Sequence, residues 1–279
     1  MDRHRRGPRR RYLPRRDLGI SDLPRRSRRE RIFRTGTQEE KKKKEKNFLR
    51  SAFIAFFVIL IANRFFPDVI PFDTFELWEI KSGNWLDWLV ISWPIFAWGG
   101  GITLFVSIVT LNTRKQNLEA EKLFLKGTII SIGAGVLEEI SFRWLIFISG
   151  IVGLKIANFL FFGWAGFGIS EWFEIHVSGL VANFFTLGYL SDILSSPENW
   201  AIGAAMLAAN AFFRNGHKYL GFFGYVNSWF IGMFMFWLLF QYGLLACILV
   251  HFAYDFLIFT VRYLDMVVER GMGWNKAAE

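Results

Sequence analysis

Acidic and imidazole side chains occur in three short constellations, each within or beside an apolar run. The first is Glu138-Glu139-Ile-Ser-Phe-Arg143. On a helix, Glu139 and Arg143 are four residues apart and share a face, so they can pair. Glu138 is rotated about 100° away, in line with Phe142. One carboxylate is thereby neutralised and its neighbour left free, which suits Glu138 to general-base work on a water. The second constellation is Phe213-Arg-Asn-Gly-His217, whose spacing sets an aromatic ring beneath an imidazole. The third is His251-Phe-Ala-Tyr-Asp255, where the same spacing lets Asp255 accept a hydrogen bond from His251 and fix its tautomer. Of the other two histidines, His4 lies in a basic tail and His176 in an expected loop. A base, a water and two imidazoles that polarise a carbonyl, stabilise an oxyanion or bind a metal would hydrolyse a peptide without a nucleophilic Ser or Cys.

These groups need an apolar scaffold around them, and composition supplies one. Hydrophobic residues make up 53% of the 279, with 32 Phe and 12 Trp, more aromatic surface than a soluble domain of this length can shield. Lipid accommodates it. Apolar stretches fall at roughly 49–66, 85–110, 127–149, 151–169, 177–192, 199–215, 222–240 and 243–262, near the length that crosses about 30 Å of hydrocarbon. The expected fold is all-α, a polytopic bundle of about eight spans. Ionisable groups inside spans cost roughly 2.5–3.5 kcal/mol each at the centre by insertion scales, so the three constellations invite a functional explanation.

Residues 1–50 hold 20 of the 33 Lys and Arg against seven acidic residues, so the rest of the chain carries −4 of the formal +9. The sequence divides into a disordered basic tail (1–48), N-terminal membrane helices (49–126), a membrane domain bearing the three motifs (127–262) and a C-terminal tail (263–279). Dense like charge with little hydrophobicity predicts disorder for the first segment, and its expected partner is the anionic lipid headgroup, not a specific nucleic acid. The 67–84 loop carries Asp68, Asp73, Glu76 and Glu79 against Lys81, whereas the 111–126 loop carries Arg114, Lys115, Lys122 and Lys126. The positive-inside rule puts the tail and the second loop in the cytoplasm and the first loop outside. That is a plasma membrane in a prokaryote, or the endoplasmic reticulum or an organelle membrane in a eukaryote. A single Cys247 excludes an intrachain disulfide and any CxxC metal site.

The three motifs, in this order, resemble the CAAX-protease and bacteriocin-processing family, which includes the type II CAAX prenyl endopeptidases. The family pattern is Glu-Glu-x-x-x-Arg, then Phe-x-x-x-His, then His-x-x-x-Asn or Asp. The resemblance covers mainly 127–149 and 199–262. It implies an intramembrane endopeptidase in which Glu138 activates water while His217 and His251 serve the water and the oxyanion. It implies further that Asp255 takes a place often held by Asn, and that Glu139 with Arg143 braces the helix. A protein or peptide substrate follows, prenylated in the eukaryotic branch. Zinc held by His217 and His251, and a metal-free glutamate mechanism, both remain open on this resemblance. The 79-residue gap from Glu138 to His217 is longer than usual and marks residues 150–198 as an insertion. Trp172-Phe-Glu-Ile-His176 is a rival second motif, rejected because Glu171 and Glu174 flank it in an expected polar loop and because the sequence after His217 matches the family better. Other classes that use such residues are a non-proteolytic scaffold or immunity factor of the same family, and a transporter. The last would show paired polar positions across an internal repeat, and the sequence has none.

Overall fold

Long runs of Leu, Ile, Phe and Ala with no proline in their interiors favour helix, and the prolines beyond residue 49 stand where helices begin or loops turn. Pro67 and Pro197 open short 3₁₀ turns, Pro71 lies in a loop, and Pro94 is the second residue of a helix. A computed structural model describes residues 38–110, 120–162 and 168–271. Their regular structure is all helical, with no strand among the described residues.

The elements are α1 Gln38–Phe65, α2 Trp85–Ile91, α3 Trp93–Thr110, α4 Ala120–Glu138, α5 Phe147–Phe161, α6 Ile169–Phe173, α7 Leu180–Phe185, α8 Ser191–Leu194, α9 Trp200–Gly216, α10 Gly221–Tyr242 and α11 Leu244–Gly271. Two π-helical segments, Glu139–Ile146 and Glu174–Gly179, join α4 to α5 and α6 to α7. The chain divides into one unit ending at Phe48 and another beginning at Leu49.

Three helical stretches are long and apolar enough to cross a membrane: Phe124–Phe161, Lys218–Tyr242 and Leu244–Glu269. The pair α2 and α3, bent by 56° at Ser92, makes a fourth if it counts as one span. At most 44% of any of the three windows is buried in the protein, so most of each apolar surface faces outward. Outward-facing apolar area on this scale marks a membrane protein.

Several sequence boundaries shift. The stretches read as 127–149 and 151–169 form one run to Phe161, because Gly150 is accommodated within α5, against Ala205 of α9. The proposed insertion therefore starts inside the helix that carries Glu138. The stretch 177–192 is not one helix: α7 ends at Phe185, and Leu187 and Gly188 turn the chain with positive φ. Residues 1–37 of the basic tail, 111–119 of the second loop and the C-terminal 272–279 lie outside the described residues. Residues 38–48, read as part of a disordered tail, are helical. Glu39 with Lys43 and Glu40 with Lys44 have the four-residue, acid-first spacing that supports a helix.

The core is organised around α11. It packs most extensively on α4, then on α3 and α10, while α9 packs on α5 and α10. The α4–α11 approach is close because Gly135 has no side chain: a Cβ there would lie 2.9 Å from the Ile248 carbonyl oxygen. Asn227 of α10 accepts a hydrogen bond from the Trp98 indole of α3 at 2.8 Å and donates to the Tyr254 hydroxyl of α11 at 2.9 Å. Three helices are thereby tied beside the polar residues. On the opposite flank, the Trp144 indole donates to the Thr74 carbonyl at 2.8 Å, and Lys155 donates to the Asp68 carbonyl at 3.1 Å. The 67–84 segment is thus fastened to the helix that bears the carboxylates.

Gly243 joins α10 to α11 at φ 93° and ψ 173°, with its N–H donating to the Leu239 carbonyl. A Cβ at this position would sit 2.1 Å from the Glu79 carbonyl oxygen. Gly243→Ala is expected to lower stability by more than the roughly 1–3 kcal/mol of backbone strain alone, because the Glu79 loop must also move. Gly101→Ala, where a Cβ meets nothing within 4 Å, should be neutral or stabilising. Thermal melting in one detergent tests both; equal melting temperatures would refute the assignment.

Candidate functional site

Arg143 and Glu139 are both fully buried, and their side chains approach to 3.2 Å between Nε and Oε2. The contact is a charge pairing without an aligned hydrogen bond, and no N–H of the guanidinium has an aligned acceptor in the protein. Aromatic rings make up part of the deficit. The guanidinium carbon lies 4.1 Å from the centre of the Phe213 ring and 5.7 Å from that of Phe236, where the negative faces of the rings attract a cation.

The second oxygen of Glu139 accepts from Nδ1 of the buried His251 at 2.5 Å. A carboxylate so placed fixes the Nδ1–H form of the ring and turns Nε2 toward Asp255, 3.8 Å away. This revises the sequence argument, in which Asp255 fixed the tautomer. The i,i+4 spacing brings Asp255 near, but 3.8 Å is too long for a hydrogen bond, and a partner 112 residues away is closer.

Glu138 and His217 form a separate, more accessible pair. Nε2 of His217 is 3.7 Å from Oε2 of Glu138, with the side chains 18% and 31% exposed. His217 ends α9, and its Nδ1 lies 2.9 Å from the Phe213 carbonyl. A carbonyl only accepts, so Nδ1 carries the hydrogen and the neutral ring presents a lone pair at Nε2. Two acceptors then face each other beyond direct hydrogen-bond range. Glu138 Oε2 is itself shielded from solvent and has no hydrogen-bond partner in the protein, so a water donating a hydrogen to each acceptor requires a small side-chain shift. Once there, it would keep its own lone pair free for a carbonyl carbon.

Phe213 holds the pairs together. Its ring centre is 4.6 Å from that of His217, 5.5 Å from Phe142 and 6.1 Å from His251. The structure thus brings Glu138, Glu139, Arg143, Phe213, His217, His251 and Asp255 into one neighbourhood, contributed by α4, its π segment, α9 and α11. His176 is elsewhere, in a helical segment where a loop was expected, because its Nδ1 and the backbone close turns on the preceding residues. It is exposed, its ring stacks on Trp172 at 4.8 Å, and its Nδ1 is 2.8 Å from the Trp172 carbonyl. Sequence reasoning missed Phe236, for which no local signal exists. It also missed Tyr219, whose ring lies nearly parallel to His217 at 6.1 Å. Its place two residues after His217 was the available clue.

Among the described residues, no three His, Cys, Asp or Glu side chains converge to hold a metal ion. His251 meets carboxylates at both nitrogens, and the Glu138–His217 pair stands apart, so the donors as placed do not fit a zinc site with three protein ligands. Searches against protein-family models, curated proteins and solved structures gave no match.

Glu139→Gln leaves the Arg143 charge buried without its counter-charge, and breaking a buried pair costs about 3–5 kcal/mol. Glu138→Gln removes a charge that, among the described residues, meets no Lys or Arg within 4 Å, only His217 at 3.7 Å, and should melt close to wild type. Melting curves in detergent separate the two; a Glu139→Gln protein as stable as wild type would show that the pair does not brace the fold.

Proposed function

We propose that this chain is an intramembrane endopeptidase in which Glu138 activates water against a peptide carbonyl. The observation that carries this reading is the facing of Glu138 Oε2 and His217 Nε2 at 3.7 Å, with the imidazole oriented by the Phe213 carbonyl. The motif resemblance supports the same reaction and extends it to substrates near the C-terminus of prenylated proteins.

In this reaction, water between the two acceptors attacks the carbonyl carbon as its proton passes to Glu138. Doubly protonated His251 donates from Nδ1 to Glu139 and presents Nε2–H, beside Asp255, to the oxyanion. Collapse breaks the C–N bond, and Glu138 returns the proton to the leaving nitrogen. The products are a carboxylic acid and an amine, the acid's proton then passing to the amine, with no covalent enzyme intermediate. Glu139, Arg143 and Phe213 hold the rings in place and touch no substrate.

Glu138→Gln retains size and hydrogen bonding but cannot take the proton. Hydrolysis of a farnesylated CAAX peptide by detergent-purified protein should fall by about 10²–10⁴-fold, measured as turnover per folded molecule. Near-normal turnover by Glu138→Gln would remove Glu138 from the mechanism. If wild type cleaves neither that peptide nor a panel of unprenylated ones, the non-proteolytic scaffold replaces this reading.

The accompanying topology has three or four full crossings in place of the eight first expected, a cytoplasmic basic tail bound to anionic headgroups, and the 67–84 loop outside. Cys247 is fully buried and donates to the Met235 carbonyl, so it gives a silent background for labelling. Glu76→Cys in intact cells should react with a membrane-impermeant maleimide. Reaction only after the cytoplasmic side is opened would invert the orientation.

A further inference from the structure

Next to the carboxylate–imidazole neighbourhood, the junction of α9 and α10 gathers two positive charges that form no ion pair with a carboxylate among the described residues. Arg214 stacks over two rings of α10, with its guanidinium carbon 4.5 Å from the centre of Tyr225 and 5.1 Å from that of Trp229. Lys218, one turn further on, brings its ammonium to 5.9 Å from the same Tyr225 ring. Among the described residues, neither cation has a carboxylate within 4 Å. Asn215 Oδ1 lies 3.4 Å from the Arg214 guanidinium and 3.3 Å from the Tyr225 hydroxyl. That arrangement leaves the Asn215 amide N–H groups as further donors. Arg214 Nε is shielded from solvent and has no hydrogen-bond partner in the protein.

The last carbonyls of a helix attract a cation, and α9 ends here, which accounts for one positive charge. Two cations converging on one tyrosine ring repel each other and need an anion between or beside them. The surroundings say which anion. Phe212, Phe222 and Phe223 are 62%, 75% and 71% exposed around the junction, and Lys218 begins a stretch apolar enough to span a membrane. A soluble anion gains nothing from those rings. A phosphate esterified to acyl chains gains from both, its charge meeting Arg214 and Lys218 while the chains cover the phenylalanines.

We infer that Arg214, Lys218 and Asn215, at the α9–α10 junction, bind the phosphodiester of an anionic membrane phospholipid. The inference rests on the membrane reading of the chain and is independent of hydrolysis at Glu138. Because Arg214 and Lys218 flank His217 in sequence, a bound lipid would also steady the turn that carries this imidazole.

The test uses the full chain, delipidated in a neutral detergent, with no activity readout. Phosphatidylglycerol, phosphatidylcholine and diacylglycerol of matched chains, and inorganic phosphate, are titrated while melting temperature and affinity are recorded. Phosphatidylglycerol should raise the melting temperature and bind more tightly than phosphatidylcholine, whose choline meets the same cations. Diacylglycerol and inorganic phosphate at equal concentration should leave melting unchanged. Lys218→Gln, an exposed position, should weaken phosphatidylglycerol binding about fivefold, the loss of one cation near a charged surface. Arg214→Lys, which retains charge but loses the planar stack on Tyr225, should weaken it as well. Lys155→Gln should leave it at the wild-type value. Equal stabilisation by diacylglycerol would reduce the site to apolar contact, and displacement of the lipid by inorganic phosphate would make it a soluble-anion site. Unchanged affinity in Lys218→Gln would overturn the inference.

Discussion

A guanidinium removed from water must be neutralised where it stands, and Arg143 is fully buried. Glu139 supplies the counter-charge and the rings of Phe213 and Phe236 supply the polarisable walls. Each partner brings a different helix to the same point: Glu139 the π segment after α4, Phe213 α9, and Phe236 α10. Glu139 then spends its second oxygen on His251, which adds α11. Four helical elements are thus registered by one charge that has nowhere else to go. The arrangement is costly in isolation. Its use is positional, because the same contacts aim His251 and hold Phe213 beneath His217.

The π-helical stretch Glu139–Ile146 is what lets adjacent glutamates take unlike environments. Glu139 is sealed inside, whereas Glu138 is about a third exposed and faces His217. Segments of this type often occur at functional positions, because an altered hydrogen-bond register re-aims side chains without ending the helix. Beside the same residues, the Trp98–Asn227–Tyr254 relay fixes α3 and α10. The bare backbone at Gly135 lets α4 come close enough for Glu139 to reach His251.

Much of this was legible in the chain because membrane helices leave a strong signal. Apolar runs located the long helices, and polar residues within them stood out against that background. Local spacing revealed Glu139 with Arg143, and Phe213 with His217, since partners one helical turn apart share a face. Spacing gave His251 to Asp255, its neighbour on the same helix, and that was incomplete. The closer partner, Glu139, comes from 112 residues away, and no local pattern encodes such a meeting. Helix ends were also obscure, since Gly150 looks like a break in sequence but is tolerated in a helix packed on Ala205. The tail was read from its charge alone, which gave disorder where residues 38–48 are helical.

The unbroken run Phe124–Phe161 has a length that matters in itself. At the helical rise its 38 residues extend about 57 Å, nearly twice the hydrocarbon thickness. A helix longer than the hydrocarbon it crosses accommodates by tilting or kinking. Because the run continues on both sides of Glu138 and through the π segment, a tilt of the whole rod would carry this carboxylate with it, while His217 stays with α9. The spare length thus couples the angle of one helix to the spacing of the Glu138–His217 pair.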